Sequence, residues 1–490
     1  MSDGLRAQNR AALLTLTCIG QFMVLLNNTI TSAALPDMQR RLDTTLTGLQ
    51  WIVDAYVLAV AMLLLAGGVF ADRFGGKRIF LGGMAVFTLA SLLCSLSATV
   101  GWLLAARILQ GIGAAALSPA SLALLASAYP VPRDRVKAIG QWATFSGIGL
   151  AVGPAAGGLL VEAFDWRAIF LINIPIGVVT LIVGARILPD RRNPDAPPLD
   201  LPGQVLALLV VGTLTFGLTE AGDRGWTDPL ILSCFAATIV LLTLFLAVEA
   251  RAAAPMLPLR LFKHRLFTVS NAAMTVVGFG LMGSGFFFTQ FFATVQGHSV
   301  LRSAMETLPC TLAMVVCSPY AARIAARFGF RSVVTVGLAF AGTGLVTMAA
   351  VHANTPYADV WWRLAVTGVG FGLTMSPLTG AAISSVGPRE GGLASGISST
   401  TRQIGAVFGV AVLGAVVRTR QEQGASFGSG LNTAFLTAGI VTLVSAVFTA
   451  LWLVRQQTPA PDAAGPDAPQ PVPVTVPASA PEPQVTVSPL

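Results

Sequence analysis

LQWIVDAYVLAVAMLLLAGGVFADRFGGKR, residues 49–78, decides the fold. From Trp51 to Phe70 the stretch is almost wholly apolar. As a helix rising 1.5 Å per residue, such a run crosses about 30 Å of hydrocarbon. It then breaks into Asp72, Arg73, two glycines, Lys77 and Arg78, a composition that suits a tight charged turn at a membrane surface. Asp54 lies inside the apolar run. A bare carboxylate at bilayer depth costs about 2.5 kcal/mol or more, so this acid needs a reason.

The same pattern recurs along the chain. Apolar runs of span length fall at about 12–35, 49–71, 79–97, 101–128, 138–161, 167–188, 201–219, 230–249, 267–293, 304–322, 332–351, 360–385, 393–417 and 432–454. Fourteen spans agree with a 490-residue chain that is 54% hydrophobic and 11% charged, where a soluble protein carries about 25% charged residues. A secreted enzyme with one leader does not fit a chain with so many further runs. A β-barrel would show segments of about ten residues alternating in polarity. The five cysteines, Cys18, Cys94, Cys234, Cys310 and Cys317, sit in apolar runs without metal-ligand spacing and read as packing residues. The formal charge of +8 raises the question of nucleic acid. Its distribution argues against that partner. With the N-terminus inside, the bases gather in alternate connections, at Arg73, Lys77 and Arg78; Arg133, Arg135 and Lys137; Arg186, Arg191 and Arg192; Arg251, Arg260, Lys263 and Arg265; and Arg323, Arg327 and Arg331. This is the positive-inside asymmetry, which puts both termini in the cytoplasm of a multi-pass protein.

Two proline-rich segments divide the chain. LPDRRNPDAPPLDLPG, residues 188–203, follows the sixth span, and residues 456–490 form a Pro- and Ala-rich tail expected to be disordered. The expected organisation is an N-terminal tail over 1–11, a six-helix bundle over 12–188, a linker and two-helix insert over 189–254, and a second six-helix bundle over 255–455. Six plus six suggests two halves with a pathway between them. A weak internal echo supports this, because ADRFGGKR ends the second span and AARFGFRS the tenth.

Three glycine-bearing patterns stand at defined places. Gly68, Asp72, Arg73, Gly75, Lys77 and Arg78 fit G-x-x-x-D-R-x-G-x-K-R, which by itself is also a tight turn with positive-inside bases. Arg107, Gln110 and Gly111 share one face of the fourth span. Gly149, Gly153 and Gly157, with Pro154 and Gly158, make a small-residue stripe in the fifth, which suits close helix packing. Together with DWRAIFLINIPIG (165–177), GLTEAGDRGWTDP (217–229) and TRQIGAVFGVAV (401–412), these resemble the major facilitator superfamily, in particular its fourteen-helix drug:proton antiporters. The resemblance covers about residues 12–455. It implies an all-α integral membrane fold of two six-helix bundles plus two inserted helices. It also implies export of an amphipathic small molecule by alternating access, driven by the proton gradient without a bound cofactor. A gate contact from Asp72 to the start of the thirteenth span, near Gly391 and Gly392, is implied as well. One position departs from the family. Its first span commonly reads L-D-x-T, whereas LNNTITSAALP (26–36) places Asn27 at the acid, and a neutral amide cannot carry a proton.

Asp54 is then the leading proton carrier, with Arg107 as the fixed cation of the proton-coupling site. A helix N-terminal role is the bland alternative, but Thr47 and Gln50 form a capping box that leaves Asp54 two turns inside. Counting residues from the outer ends puts Asp54 and Arg107 roughly 7–10 Å deep and Asn27 roughly 13 Å deep, so the three can share one polar cluster. A static Asp54–Arg107 strut is the competing reading. Of the other acids, Asp37 and Asp72 are expected in loops and Glu220, Glu249 and Glu306 near helix ends. Phe286, Phe287, Gln290 and Phe291 in the ninth span, with Asn27 and Gln110, are candidates for the substrate cavity. The expected protein is a cytoplasmic-membrane efflux transporter working as a monomer with no enzymatic site. The rivals are a facilitator or symporter without proton antiport, favoured by Asn27, and a membrane-embedded sensor or enzyme, for which no soluble domain or catalytic grouping stands out.

Overall fold

The computed structural model describes residues 2–190, 200–252, 255–387 and 390–453. The linker positions Arg191, Arg192 and Asp195, and also Arg389, Arg455 and the tail 456–490, lie outside the described residues. Fifteen α-helices occur among the described residues: α1 (Ser2–Leu42), α2 (Leu46–Phe74), α3 (Gly76–Ser95), α4 (Val100–Ala128), α5 (Pro132–Ala163), α6 (Ala168–Leu171), α7 (Asn173–Ile187), α8 (Leu201–Arg224), α9 (Pro229–Arg251), α10 (Arg265–Gln290), α11 (Val300–Phe328), α12 (Phe330–Met348), α13 (Tyr357–Ser384), α14 (Gly391–Glu422) and α15 (Phe427–Trp452). With α6 and α7 joined, and α10 continued by a π-helical turn over Phe291–Val295, fourteen segments among the described residues are long and apolar enough to cross a membrane. No strand occurs among the described residues.

Several ends differ from the sequence expectation. α1 begins at Ser2, inside the stretch expected as a tail, and runs past Pro36 to Leu42. Its last turns are anchored by Asp37, which is buried and not in a loop; it accepts from Arg40, Arg41 and the backbone N–H of Trp166. Asp72 likewise belongs to the last turn of α2. The cap of α2 is Thr45, whose hydroxyl accepts from Gly48 N, so the Thr47–Gln50 capping box does not form. TTLT (44–47) offers three threonines for one job, and the choice of Thr45 frees Gln50 for a tertiary contact.

The two halves repeat one packing scheme. α1 packs on α5 as α10 packs on α14; α2 packs on α4 as α11 packs on α13; and α3 packs on α4 and α7 as α12 packs on α13 and α15. The turn between α2 and α3 and the turn between α11 and α12 both pivot on a left-handed glycine, Gly75 at φ 96° and Gly329 at φ 82°. Residues with a Cβ avoid that region, which is why Arg-Phe-Gly recurs at 73–75 and 327–329. Two seams join the halves, α2 against α14 and α5 against α11. The inserted α8 packs on α9, α2 and α14, so it lies over the first seam. Gln204 donates to the Met62 carbonyl, Trp51 Nε1 donates to Glu220 at 2.9 Å, and Arg418 donates both to the Thr219 carbonyl at 2.7 Å and to Gln50 Oε1 at 2.9 Å.

Candidate functional site

The buried polar centre of the first half is built around Arg107 on α4, 1% exposed. Its Nε donates to the Ile52 carbonyl at 3.0 Å, and Nη1 donates to Asn27 Oδ1 at 3.0 Å and Gln110 Oε1 at 2.8 Å. Gln110 passes the chain on to Ser91 Oγ at 2.9 Å. The guanidinium also stands over the Tyr56 ring, 4.4 Å from its centroid, a cation–π arrangement. Arg107 is thus held by neutral acceptors and a ring. Of the expected cluster of Asn27, Asp54 and Arg107, Asn27 and Arg107 meet and Gln110 joins them, but Asp54 is not part of it.

Asp54 points elsewhere, and helix geometry says why. Ile52, Tyr56, Ala59 and Gly67 make the face of α2 that meets α4; the ring of Tyr56 and the carbonyl of Ile52 reach Arg107, and a Cβ on Gly111 would stand 2.6 Å from the Tyr56 carbonyl. At 3.6 residues per turn, position 54 is about half a turn away from that face. It shares a stripe with Gln50, Ala61 and Leu65. Gln50 Nε2 donates to the Val410 carbonyl of α14 at 2.6 Å, Ala61 belongs to a cluster with Met62, Val211, Ile404 and Phe408, and Leu65 lies against Gly396. Asp54 therefore faces the α2–α14 seam. It is 0% exposed, and neither carboxylate oxygen has a hydrogen-bond partner. The Asp54–Arg107 strut is not formed. The direction of Asp54 around the helix axis was not readable from the sequence.

The glycines act as spacers. A Cβ on Gly149 would lie 2.7 Å from the Phe22 carbonyl, on Gly157 2.8 Å from the Ile30 carbonyl, and on Gly153 3.0 Å from Ile30 N, so this stripe sets how closely α5 approaches α1. Gly158 faces the other half, where a Cβ would lie 2.9 Å from Leu301 Cα. In the α2–α3 turn, Lys77 donates to the Ala185 carbonyl at 2.8 Å and Arg78 pairs with Asp190 at 3.2 Å, tying the turn to the C-terminal end of α7 where a cation is favoured. Arg73 lies over the Phe74 ring, and Gly68 lies near Pro119 of α4. Asp72 is exposed and makes no hydrogen bond or ion pair among the described residues, so the expected contact with Gly391 and Gly392 is absent in this conformation.

A cavity of about 70 Å³ lies between α1 and α5 of one half and α10 and α11 of the other. Its polar rim is Asn28, Thr29, Ser32, Thr289, Thr307 and Thr311. Of the expected cavity residues, Phe286 and, from the glycine stripe, Pro154 line it. Asn27 and Gln110 turn inward to Arg107. Phe287, Gln290 and Phe291 are buried but are not among the lining residues; Gln290 Nε2 lacks a partner. The residues missed carried a signal. Thr307, Cys310, Thr311 and Met314 follow the i, i+3, i+4, i+7 rhythm of one helix face, as do Asn28 and Ser32 at i, i+4. Glu249 and Glu306, expected near helix ends in a solvated or capping role, are buried and engaged instead. Glu306 is buried, held by His298 at 2.7 Å and Arg302 at 3.0 Å, and Glu249 accepts from Leu257 N at 3.2 Å.

Two glycine-spaced halves, two seams and a cavity between them define a membrane transporter. The chain belongs to the Major Facilitator Superfamily, whose family model matches residues 17–410. It is similar to the methylenomycin A resistance protein of Streptomyces coelicolor, 35% identical over 88% of this chain and 90% of that protein. The multidrug resistance protein Stp of Mycobacterium tuberculosis is 36% identical over 84% of this chain and 76% of that protein. The drug efflux pump JefA of the same species is 34% identical over 82% and 79%. Among solved structures, the nucleoside transporter NupG superposes with a TM-score of 0.65 at 12% identity, covering 90% of this chain and all of that one.

Proposed function

We propose that this protein exports amphipathic antibiotics or drugs across the cytoplasmic membrane by proton antiport and alternating access, with Asp54 as the proton carrier. The cargo class is supported by the resistance and efflux proteins to which the chain is similar. The observation that carries the coupling is the placement of Asp54, fully buried with both carboxylate oxygens unpartnered at a seam that must open and close. A closed apolar seam accommodates a neutral carboxylic acid. A carboxylate there is shut off from solvent and pairs with no cation among the described residues, and burying one unpaired costs several kcal/mol. Loss of the proton therefore favours opening of the α2–α14 seam, and its return favours closure. One proton moving down a potential of about 150 mV supplies roughly 3.5 kcal/mol, enough to hold a neutral drug at a gradient of a few hundred-fold.

The test uses the purified full-length protein in proteoliposomes with a pH dye inside and an imposed proton gradient. Asp54→Asn should abolish uphill drug movement while leaving passive exchange. Uphill pumping by that variant with an unchanged pH profile would place the carrier elsewhere. A second reading, facilitated transport without protons, is favoured by Asn27 at the family's acid position with its amide oxygen occupied by Arg107. Drug equilibration by the unaltered protein with no dye response would select it.

A further inference from the structure

From the cavity between α1, α5, α10 and α11 we infer its ligand: an uncharged molecule that presents hydrogen-bond donors, with Asn28 as the residue that sets this selectivity. The inference rests on the export reading above and narrows its cargo. Among the described residues, no Asp, Glu, Lys, Arg or His lines the cavity. Glu306, next to the lining Thr307, has both carboxylate oxygens engaged by His298 and Arg302. A cation entering this space loses its hydration and meets no opposite charge, which is unfavourable by several kcal/mol. Of the polar groups that remain, Thr29, Thr307 and Thr311 present acceptors. Thr29 donates its hydroxyl to the Leu150 carbonyl at 3.2 Å, Thr307 to Ala304 at 2.7 Å and Thr311 to Leu308 at 3.1 Å. Each hydroxyl proton is thereby directed to backbone, leaving the oxygen lone pairs to face a ligand. Asn28 Oδ1 is buried without a hydrogen-bond partner, and a buried acceptor left so is costly until a donor arrives. The remaining walls, Leu281, Met282, Phe286, Phe288 and Met314, are apolar and polarisable. At about 70 Å³ the cavity is smaller than the roughly 300–1,000 Å³ of a drug pocket, so loading requires the two halves to part around it.

The experiment compares chloramphenicol, uncharged with hydroxyl and amide donors, and tetraphenylphosphonium, a permanent cation without donors. Both are assayed for binding to the purified full-length protein and for uptake by inside-out vesicles. The unaltered protein should bind and move chloramphenicol and not the cation. Asn28→Leu should weaken chloramphenicol binding about tenfold, the loss of one well-placed hydrogen bond. Asn28→Asp should invert the preference and admit the cation, and thermal melting of each variant confirms that it is folded. Unaltered protein that moves the cation but not chloramphenicol would overturn the inference and leave export standing. Equal chloramphenicol binding by folded Asn28→Leu would also overturn it. Movement of neither probe by the unaltered protein would count against the export reading, and the inference would fall with it.

Discussion

Arg107 shows how one residue can organise a half of the molecule. Its fork satisfies three acceptors on three helices, the Ile52 carbonyl of α2, Asn27 of α1 and Gln110 of α4 itself. Lysine keeps the charge but offers a compact ammonium in place of a planar fork. Arg107→Lys should therefore lower stability by about 2–3 kcal/mol, one to two charge-assisted hydrogen bonds, read as a drop in the melting temperature of the detergent-solubilised protein. Asn27→Asp tests the same centre from the other side. It gives Arg107 an anionic partner where it now has an amide, and the pH–rate profile of efflux should move relative to the unaltered protein. An unmoved profile would mean that this centre is structural and takes no part in coupling.

At the scale of the element, the glycine stripe of α5 makes the clearest prediction. Gly149→Ala and Gly157→Val place carbon against the backbone of α1 and should destabilise by about 1–3 kcal/mol through overpacking. Gly140→Ala, on the same helix but with nothing within 4 Å of the added carbon, should be neutral or stabilising by up to about 1 kcal/mol, since alanine favours helix. Melting curves of the three variants check both arms. The stripe was legible because a spacing of four fixes one helix face whatever the partner. The fate of Asp54 was not, since a sequence leaves open which neighbour covers which side of α2. The same holds for Asn27 and Asn28. They are adjacent in the chain, yet one turns to Arg107 and the other to the cavity. Thr45, chosen as cap over Thr47, was hidden by the run of similar residues.

For the whole molecule, the fourteen spans were legible because bilayer thickness imposes a length on every one of them. The path of the inserted pair was not, because α8 meets α2 and α14 through Gln204 with Met62, Glu220 with Trp51 and Thr219 with Arg418, partners far apart in the chain. If the basic turns face the cytoplasm, a single cysteine at Arg78→Cys in a cysteine-free background should resist a membrane-impermeant thiol reagent in intact cells, and Thr227→Cys should react. The reverse pattern would invert the orientation. The roof that α8 lays over the α2–α14 seam also makes the two flanks unequal. On the α5–α11 flank, Phe145, Val152 and Leu159 of α5 and Leu312 and Val316 of α11 remain exposed. In the proposed alternating-access cycle, the α2–α14 flank slides against α8 while the α5–α11 flank must push aside acyl chains. The bilayer's lateral pressure and chain packing would then act directly on one seam and not on the other, and thickness or fluidity of the host membrane would be a one-sided brake on that cycle.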